Sequence, residues 1–280
     1  MGYNIGNRFI PSKRLLRVAI WWLLIFLLQA CSVTSSRTDG RPGQPVNVSA
    51  IPDAVPGNEP KSKYGNPDSY IVNGKKYFVR RDSSGFIERG IASWYGTKFH
   101  GRRTSSGETY DMYAMTAAHK TLPLPTYVTV RNLYNGHSIT VKVNDRGPFH
   151  ENRVIDLSYV AAIKLGTVKD GTGLVEVRAI DPGYFRGEPV PVQSQTTISK
   201  SGKGFYVQVG AFSNYENALQ LTKKLTGLAD NLIHISETIV SKEKLYRVRF
   251  GPITEIDVAD RIVINLGRYG VGEHRIVVDL

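Results

Sequence analysis

The stretch YVTVRNLYNGHSITVKVND, residues 127–145, has the pattern of two β-strands joined by a tight turn. Because successive side chains of a strand point to opposite faces, alternating apolar residues mark one buried face per strand. The dipeptide Asn135-Gly136 between the two runs is the strongest short signal for a two-residue hairpin turn. The stretch therefore predicts a β-hairpin that ends on an acid, Asp145. The alternating apolar residues are Val128, Val130, Ile139, Val141 and Val143.

The segments around this hairpin predict a small barrel. LSYVAAIKLG, residues 157–166, has the pattern of a short amphipathic helix closed by Gly166, a residue suited to the left-handed position after a helix. GLVEVRAI, residues 173–180, returns to a strand pattern. Short strands with one helix in fewer than a hundred residues indicate a small β-barrel, which we place at residues 89–182. A hairpin at Asn73-Gly74 predicts a short β extension before it, residues 69–88.

A second folded module is predicted at residues 203–280, after a linker of residues 183–202 that is rich in Pro, Ser and Gln. GFYVQVGAF, residues 204–212, is typical of a strand, and Ser213 and Glu216 have the spacing of a helix capping box. Two further strand patterns, a second helix pattern and a last strand follow. The order βαββαβ predicts a small antiparallel sheet with its helices on one side.

The amino terminus has the pattern of an export signal. A basic leader precedes the apolar run VAIWWLLIFLL, and eleven apolar residues are too few for a retained membrane span, which needs about 20. We predict a lipoprotein signal peptide at residues 1–30. LQAC, residues 28–31, resembles a bacterial lipobox, which would place lipid on Cys31; an incidental cysteine is the alternative. Residues 31–68 are rich in Ser, Pro, Gly and Asn and predict a flexible tether.

The charge of the mature chain indicates an anionic partner. The formal net charge of the whole chain is +12, and removal of the signal with its four basic residues leaves +8. Nucleic acid is an unsuitable partner for an exported chain without a recognisable nucleic-acid motif. Peptidoglycan and anionic lipid are the negatively charged partners of the cell envelope. Cys31 is the single cysteine, so a disulfide framework is excluded for the monomer, the state we expect.

Four motifs of the barrel segment resemble the rare lipoprotein A family. They are ASWYG (92–96), FHGRRTSSGE (99–108), MTAAHKTLP (115–123) and VNDRGPF (143–149). The resemblance covers Gly90 to roughly Ala179 and implies a six-stranded double-psi β-barrel. GFYVQVGAF and YRVRFGP similarly resemble a SPOR domain, a peptidoglycan-binding α+β module. The order of lipobox, barrel and SPOR module matches the whole family architecture.

The family resemblance implies an endolytic lytic transglycosylase. Such an enzyme cleaves the MurNAc–GlcNAc bond of peptidoglycan without water and leaves a 1,6-anhydro end. The reaction needs an acid for the leaving oxygen and a base for the muramyl 6-hydroxyl, and one residue can do both in turn. Carried over by motif, Asp145 is the general acid and base, Glu108 raises its pKa or orients the sugar, and His119 hydrogen-bonds a carboxylate or stabilises developing charge. No cofactor or metal is implied.

The resemblance also suggests substrate contacts in both modules. In the barrel, Asn144 and Arg146 are expected to position the sugar, with Trp94 and Tyr95 as a stacking platform. In the second module, period-two alternation predicts an exposed polar face that would bind glycan strands lacking stem peptides, at the division septum. That face is expected to contain Gln208, Gly210 and Arg249. Ser32 after the cysteine is typical of sorting to the outer membrane, facing the periplasm.

Other interpretations of these residues remain. Asn-Asp-x-Gly is a common turn, and by itself NDRG favours a structural role for Asp145. Glu108 is alternatively a solvated loop acid and His119 a core imidazole. Asp111 and Asp156 are predicted not to act, Asp156 belonging to the cap of the helix that starts near Ser158. A non-cleaving, expansin-like peptidoglycan-binding lipoprotein that links outer membrane and wall is the main alternative function, and a hydrolytic muramidase using Glu108 and Asp145 is another.

Overall fold

The computed structural model describes residues 39–44, 46–150, 152–181, 204–240, 243–272 and 274–278. The predicted signal peptide, Cys31 and the 183–202 linker lie outside these ranges. Among the helices within them, none combines the length and the apolar character needed to cross a membrane.

The described residues contain twelve strands and three α-helices, which form a barrel module, a second module and a separate two-stranded hairpin. The strands are β1 (Ser69–Val72), β2 (Lys75–Phe78), β3 (Ile87–Tyr95), β4 (Thr116–His119), β5 (Thr126–Asn132), β6 (Ser138–Asp145), β7 (Arg153–Ser158), β8 (Gly173–Ala179), β9 (Phe205–Phe212), β10 (Ile233–Val240), β11 (Glu243–Ile253) and β12 (Arg275–Val278). The helices are α1 (Tyr159–Leu165), α2 (Tyr215–Lys224) and α3 (Ile256–Leu266). Short 3₁₀ turns lie at Val48–Ala50 and Gly267–Tyr269.

Six strands close the predicted barrel in the order β3-β7-β4-β6-β5-β8. The pairs β3–β7 and β4–β6 are parallel, and the other neighbouring pairs are antiparallel. The opening hairpin forms as predicted, with Val128 opposite Val141 and Val130 opposite Ile139. These side chains are buried in the barrel core. The six-stranded barrel expected from the sequence is confirmed.

The helix of the barrel begins and ends at the residues that the sequence indicates. The Ser158 hydroxyl accepts a hydrogen bond from the Ala161 N–H and thereby satisfies one of the free donors of the first turn. Gly166 ends the helix in the left-handed conformation, with φ of 78°. Because Ser158 is also the last residue of β7, the helix starts directly at the barrel wall.

The second module has the predicted βαββαβ order. Its sheet has the strand order β10-β11-β9-β12, and all pairs are antiparallel. Helices α2 and α3 pack their apolar residues on the sheet. Three barrel residues, Ile91, Leu133 and Leu174, lie in the same apolar cluster as this module. The Arg153 guanidinium bridges to Asp260 with both terminal nitrogens, at 2.9 and 2.6 Å.

Residues 46–66 differ from the flexible tether that the composition predicts, because they lie against the barrel. The Ala54 N–H donates to the Thr140 carbonyl at 3.1 Å, and Asp53 accepts from the Thr140 N–H at 2.8 Å. The Ser62 N–H donates to the Leu124 carbonyl at 2.8 Å. The apolar side chains that reach the core are irregularly spaced, so no hydrophobic period reveals them; they are Val46, Val48, Ile51 and Ala54.

Candidate active site

Asp145 ends strand β6 and is held by one of its two carboxylate oxygens. Oδ1 accepts hydrogen bonds from the Ser105 N–H at 2.8 Å, the Ser105 hydroxyl at 2.6 Å and the Arg146 N–H at 2.7 Å. Within the part of the chain that the structure describes, no hydrogen bond reaches Oδ2. The side chain is half-buried. The carboxylate is thus fixed in orientation through Oδ1, which leaves Oδ2 unengaged among the described residues.

Glu108 is held by the residue next to Asp145. Asn144 donates its side-chain N–H to Glu108 Oε2 at 2.7 Å, and Lys142 lies 3.0 Å from Oε1. Asn144 is 2% exposed, so in this structure its side chain holds Glu108 and does not present a surface to a sugar, as the sequence suggests it would. Strand and loop therefore hold each other: Ser105 of the loop fixes Asp145, and Asn144 of the strand fixes Glu108.

A second carboxylate completes an ion-pair network around Lys142. Glu59, from the segment before the barrel, lies 2.8 Å from the Lys142 ammonium and also accepts from the Tyr127 hydroxyl. The hydrogen bond from Lys142 is the largest cause that lowers the pKa of Glu59. For Lys142, burial works against the charged form, but hydrogen bonds to Glu59 and Glu108 outweigh it and raise the pKa. The network holds Lys142 as a cation between two acids.

His119 is paired with an acid that sequence reasoning did not select. Its Nε2 lies 3.1 Å from Glu88 Oε2, while Nδ1 accepts from the N–H groups of Thr121 and Leu122 at 3.1 and 3.0 Å. Since Nδ1 accepts two hydrogen bonds, the proton resides on Nε2, which donates to Glu88. No hydrogen bond joins His119 to Asp145 or Glu108 among the described residues. The expected carboxylate partner exists, but it is Glu88.

Burial should make His119 a source of acid sensitivity. Burial is the largest cause that lowers the pKa of His119, so the folded protein takes up a proton on it at lower pH than the unfolded chain, whose value is about 6.5. Below that value the unfolded state binds more protons than the folded state. The free energy of unfolding therefore decreases as the pH is lowered. We expect the free energy of unfolding to drop between pH 7 and pH 5 by urea denaturation, and the His119→Gln variant to lose part of this slope. His137→Gln, at an exposed site, is the control and should keep the wild-type slope.

Arg146 is turned away from the substrate position predicted for it. Its guanidinium donates to the carbonyls of Gly65 (2.7 and 2.9 Å), His119 (3.1 Å) and Leu122 (2.5 Å). A further bond, 3.3 Å long, reaches the Asn66 side chain. Burial lowers the pKa of this guanidinium. Arg146 therefore ties the loop after Asp145 to the segment before the barrel.

The aromatic platform predicted from Trp94 and Tyr95 does not form beside the acids. Tyr95 is buried and stacks on Tyr110, with ring centroids 4.1 Å apart. Trp94 packs toward Tyr159, with centroids 5.5 Å apart. Neither residue lines the cavity next to Glu108. Tyr95 is a core residue, and a sugar-binding role for Trp94 stays a prediction.

Asp156 lies in strand β7 and does not cap the helix, contrary to the prediction. Ser158 is the cap, and the Asp156 carboxylate accepts a hydrogen bond from the Ser93 hydroxyl. Burial raises the pKa of Asp156, and the Ser93 contact opposes this in part. Its place two residues before Ser158 suggested a cap, while the alternation in RVIDLS was the signal for a strand position. Asp111 is an exposed turn acid, 3.7 Å from His100.

An open cavity of about 310 Å³ lies beside Glu108. Its walls come from the loop that contains Glu108 and from the segment before the barrel. The lining includes Glu59, Ser62, Lys63, Tyr64, Arg103 and Glu108.

The glycan-binding face predicted for the second module is largely internal. Gln208 is 6% exposed and Arg249 is 4% exposed. The Arg249 guanidinium lies over the Tyr206 ring, 5.4 Å from its centroid. At Gly210 a side chain would collide with Phe212 and Leu221, so this glycine serves close packing. Alternation places residues on one face of the sheet, but it does not say whether that face is covered.

Comparison with known proteins agrees with this architecture. A family model described as lytic transglycolase matches residues 87–178, and one described as SPOR domain matches residues 201–272. The chain is 42% identical over 284 aligned residues to the endolytic peptidoglycan transglycosylase RlpA of Pseudomonas aeruginosa strain UCBPP-PA14, covering 82% of this chain and 83% of that protein. It is 40% identical over 251 residues to the Vibrio cholerae protein of the same name, covering 88% of this chain and 91% of the relative.

A solved structure of the RlpA SPOR domain from Pseudomonas aeruginosa is 35% identical, with a TM-score of 0.25, and matches 26% of this chain and 97% of that domain. The two curated relatives cover most of the chain at 40% identity or more, and both modules match their own family models. The chain therefore belongs to the RlpA family, the rare lipoprotein A proteins.

Proposed function

We propose that this protein is an endolytic lytic transglycosylase of peptidoglycan, with Asp145 as the group that moves the proton. The observation that supports the proposal is that residues of one loop and one strand hold two acids in place, each acid by a residue of the other element. Asp145 is held through Oδ1 by Ser105, and Glu108 is held through Oε2 by Asn144. Relatives that span the chain bear the name of this activity.

The proposed reaction takes place within the glycan and consumes no water. Protonated Asp145 donates its proton from Oδ2 to the oxygen that leaves as the GlcNAc 4-hydroxyl, while the bond from that oxygen to muramyl C1 breaks. The muramyl O6 then forms a bond to C1, and its proton passes to Asp145, which restores the acid. Positive charge develops at C1 in the transition state, and the Glu108 carboxylate, on the loop whose Ser105 fixes Asp145, is the group proposed to stabilise it. His119 and Glu88 support the strand next to Asp145.

Product analysis tests the activity. Sacculi freed of stem peptides by an amidase are incubated with the protein, and the released glycans are identified by mass spectrometry. We expect 1,6-anhydro-muramyl ends. Reducing muramyl ends would indicate a hydrolase, and intact glycan that sediments with the protein would indicate the non-cleaving binder.

The lipid anchor is part of the proposal and rests on the sequence LQAC. Lipid on Cys31 would hold the protein in the outer membrane, facing the periplasm, as a monomer. We expect radiolabelled palmitate to enter the wild-type protein and not the Cys31→Ala variant, which should leave the membrane fraction. A Cys31→Ala protein that still sediments with membranes would contradict the anchor.

The SPOR module is proposed to concentrate the enzyme on peptide-free glycan at the division septum. A fluorescent fusion lacking residues 203–280 should lose septal enrichment. The full-length Asp145→Asn fusion is the control and should keep it, since localisation by binding does not need cleavage. Equal septal fluorescence of the shortened and complete fusions would contradict the proposal.

A further inference from the structure

The barrel presents an apolar strip of its outer wall to the SPOR module. In strand β3, Ala92 belongs to the barrel core, whereas Ile91 lies in the apolar cluster of the SPOR module. Val175 and Leu174 of β8 divide in the same way, as expected for neighbours that point to opposite faces of a strand. Ile91 and Leu174 are paired in register, and both are buried. The SPOR module therefore covers this part of the barrel wall, with its edge strand β12 against β3.

Beside this strip, one acid of the SPOR module binds two residues of the barrel. Asp260 lies in α3 and accepts from Arg153 through both oxygens, at 2.9 and 2.6 Å. Its Oδ1 also accepts from the Asn152 side-chain N–H at 2.9 Å. Burial works against the charged form of Asp260, but the hydrogen bonds from Arg153 and Asn152 outweigh it and lower the pKa. The Lys120 ammonium donates to the Arg153 carbonyl at 2.5 Å, so the barrel holds the main chain here and the SPOR module holds the side chains.

The two barrel partners of Asp260 end the loop that starts after Asp145. The structure describes this loop at residues 146–150 and 152. At its start, the Arg146 N–H donates to Asp145 Oδ1 at 2.7 Å, so the course of the loop and the orientation of the carboxylate are linked. In its middle, Phe149 packs against the β1–β2 hairpin, with its ring centroid 5.7 Å from that of Tyr77. The barrel side thus supports the start and the middle of the loop, and Asp260 binds the side chains at its end.

We propose that Asp260 is a positioning residue for glycan cleavage: through Asn152 and Arg153 it fixes the end of the loop that follows Asp145, so that the docked SPOR module keeps this carboxylate in its reactive orientation. This role rests on the proposed function, in which Asp145 moves the proton. Catalysis needs the reacting atoms held in one geometry, and a loop that is released at one end samples others. The SPOR module then contributes to the rate of cleavage itself, besides its proposed part in localisation.

Asp260→Asn in the full chain tests this role on a short peptide-free MurNAc–GlcNAc oligosaccharide. Asn keeps the shape of the side chain but removes the charge that Arg153 binds. We expect kcat for the formation of anhydro-muramyl ends to fall about fivefold with an unchanged KM, because the loop is released and the groove residues stay in place. Arg153→Met should have the same effect. The double variant should be no slower than either single variant, since both remove one interaction.

Hydrogen–deuterium exchange of the same full-length variants measures the loop directly. We expect faster exchange in peptides that cover residues 146–154 of Asp260→Asn, with wild-type exchange in β5 and β6. Asp257→Asn is the matched control, because Asp257 is an exposed acid in the first turn of the same helix. It should keep the wild-type kcat and loop exchange. If Asp260→Asn fails to fold, Asn152→Ala decides, since it keeps the ion pair, removes one of the three bonds and should also speed exchange in the loop.

Three results would overturn the positioning role of Asp260. They are a wild-type kcat in a folded Asp260→Asn protein, a raised KM with an unchanged kcat, and wild-type exchange in the loop. The exchange measurement needs no cleavage, so it separates this role from the proposed activity. Faster loop exchange in a chain whose wild type leaves glycan intact would support the hold of Asp260 on the loop and overturn the activity.

Discussion

Replacing Asp145 with Asn is expected to lower the rate of anhydro-muramyl end formation by about a thousandfold. Asn keeps the shape of the side chain and an oxygen that can accept from Ser105, but it cannot lend and recover a proton. General acid and base catalysis by one group typically contributes about 10² to 10⁴ in rate, and here the same group serves both steps. The loss should fall on kcat, because the substitution leaves the groove intact. Product formation by mass spectrometry over time measures it.

Asp111→Asn is the matched control for this substitution. Asp111 is an exposed turn acid that binds the Tyr113 N–H within its own turn. Its variant should cleave glycan at the wild-type rate. If Asp145→Asn cleaved glycan within about tenfold of the wild type, the carboxylate would not be the proton carrier, since a general acid contributes at least about 10².

Replacing Arg146 with Met should destabilise the protein by about 3 kcal/mol. A buried carbonyl that loses its charged donor costs about 1 to 3 kcal/mol. Because these carbonyls are partly exposed to water, we expect less than the summed cost of all of them. Met keeps an unbranched side-chain stem but donates no hydrogen bond to Gly65, His119 or Leu122. The loss should appear as a lower urea midpoint with an unchanged denaturant slope.

Arg102→Met is the control for the loss of a positive charge. Arg102 is exposed and lies over the Phe99 ring, 5.8 Å from its centroid, so its removal should change stability by less than about 0.5 kcal/mol. An Arg146→Met protein as stable as the wild type, with a raised KM for glycan, would instead support the substrate contact that the sequence suggests.

The parts of the fold that depend on local pattern could be predicted from the sequence. The valines of the hairpin at Asn135-Gly136 alternate because a strand has two faces, and the structure buries that face. The helix between Ser158 and Gly166 has its cap and its terminating glycine in the sequence itself. Such features involve residues within a few positions of each other, so spacing alone indicates them.

The contacts that build the site are distant in sequence, and local pattern does not reveal them. Arg146 binds Gly65 across 81 positions, and His119 binds Glu88 across 31. Residues 46–66 were predicted as a tether because their composition is polar, but the barrel supplies partners for their backbone. The motifs VNDRGPF and FHGRRTSSGE marked Asp145 and Glu108 through family resemblance. The nearby Asn144 and Arg146 have structural roles that only the three-dimensional arrangement shows.

The most direct test of the central claim is cleavage of peptide-free glycan in water enriched in ¹⁸O. If Asp145 transfers the proton of the muramyl 6-hydroxyl and that oxygen closes on C1, the anhydro product contains no ¹⁸O, and Asp145→Asn forms that product about a thousandfold more slowly. ¹⁸O at muramyl C1 in a reducing end would mean that water attacks, and would contradict the account.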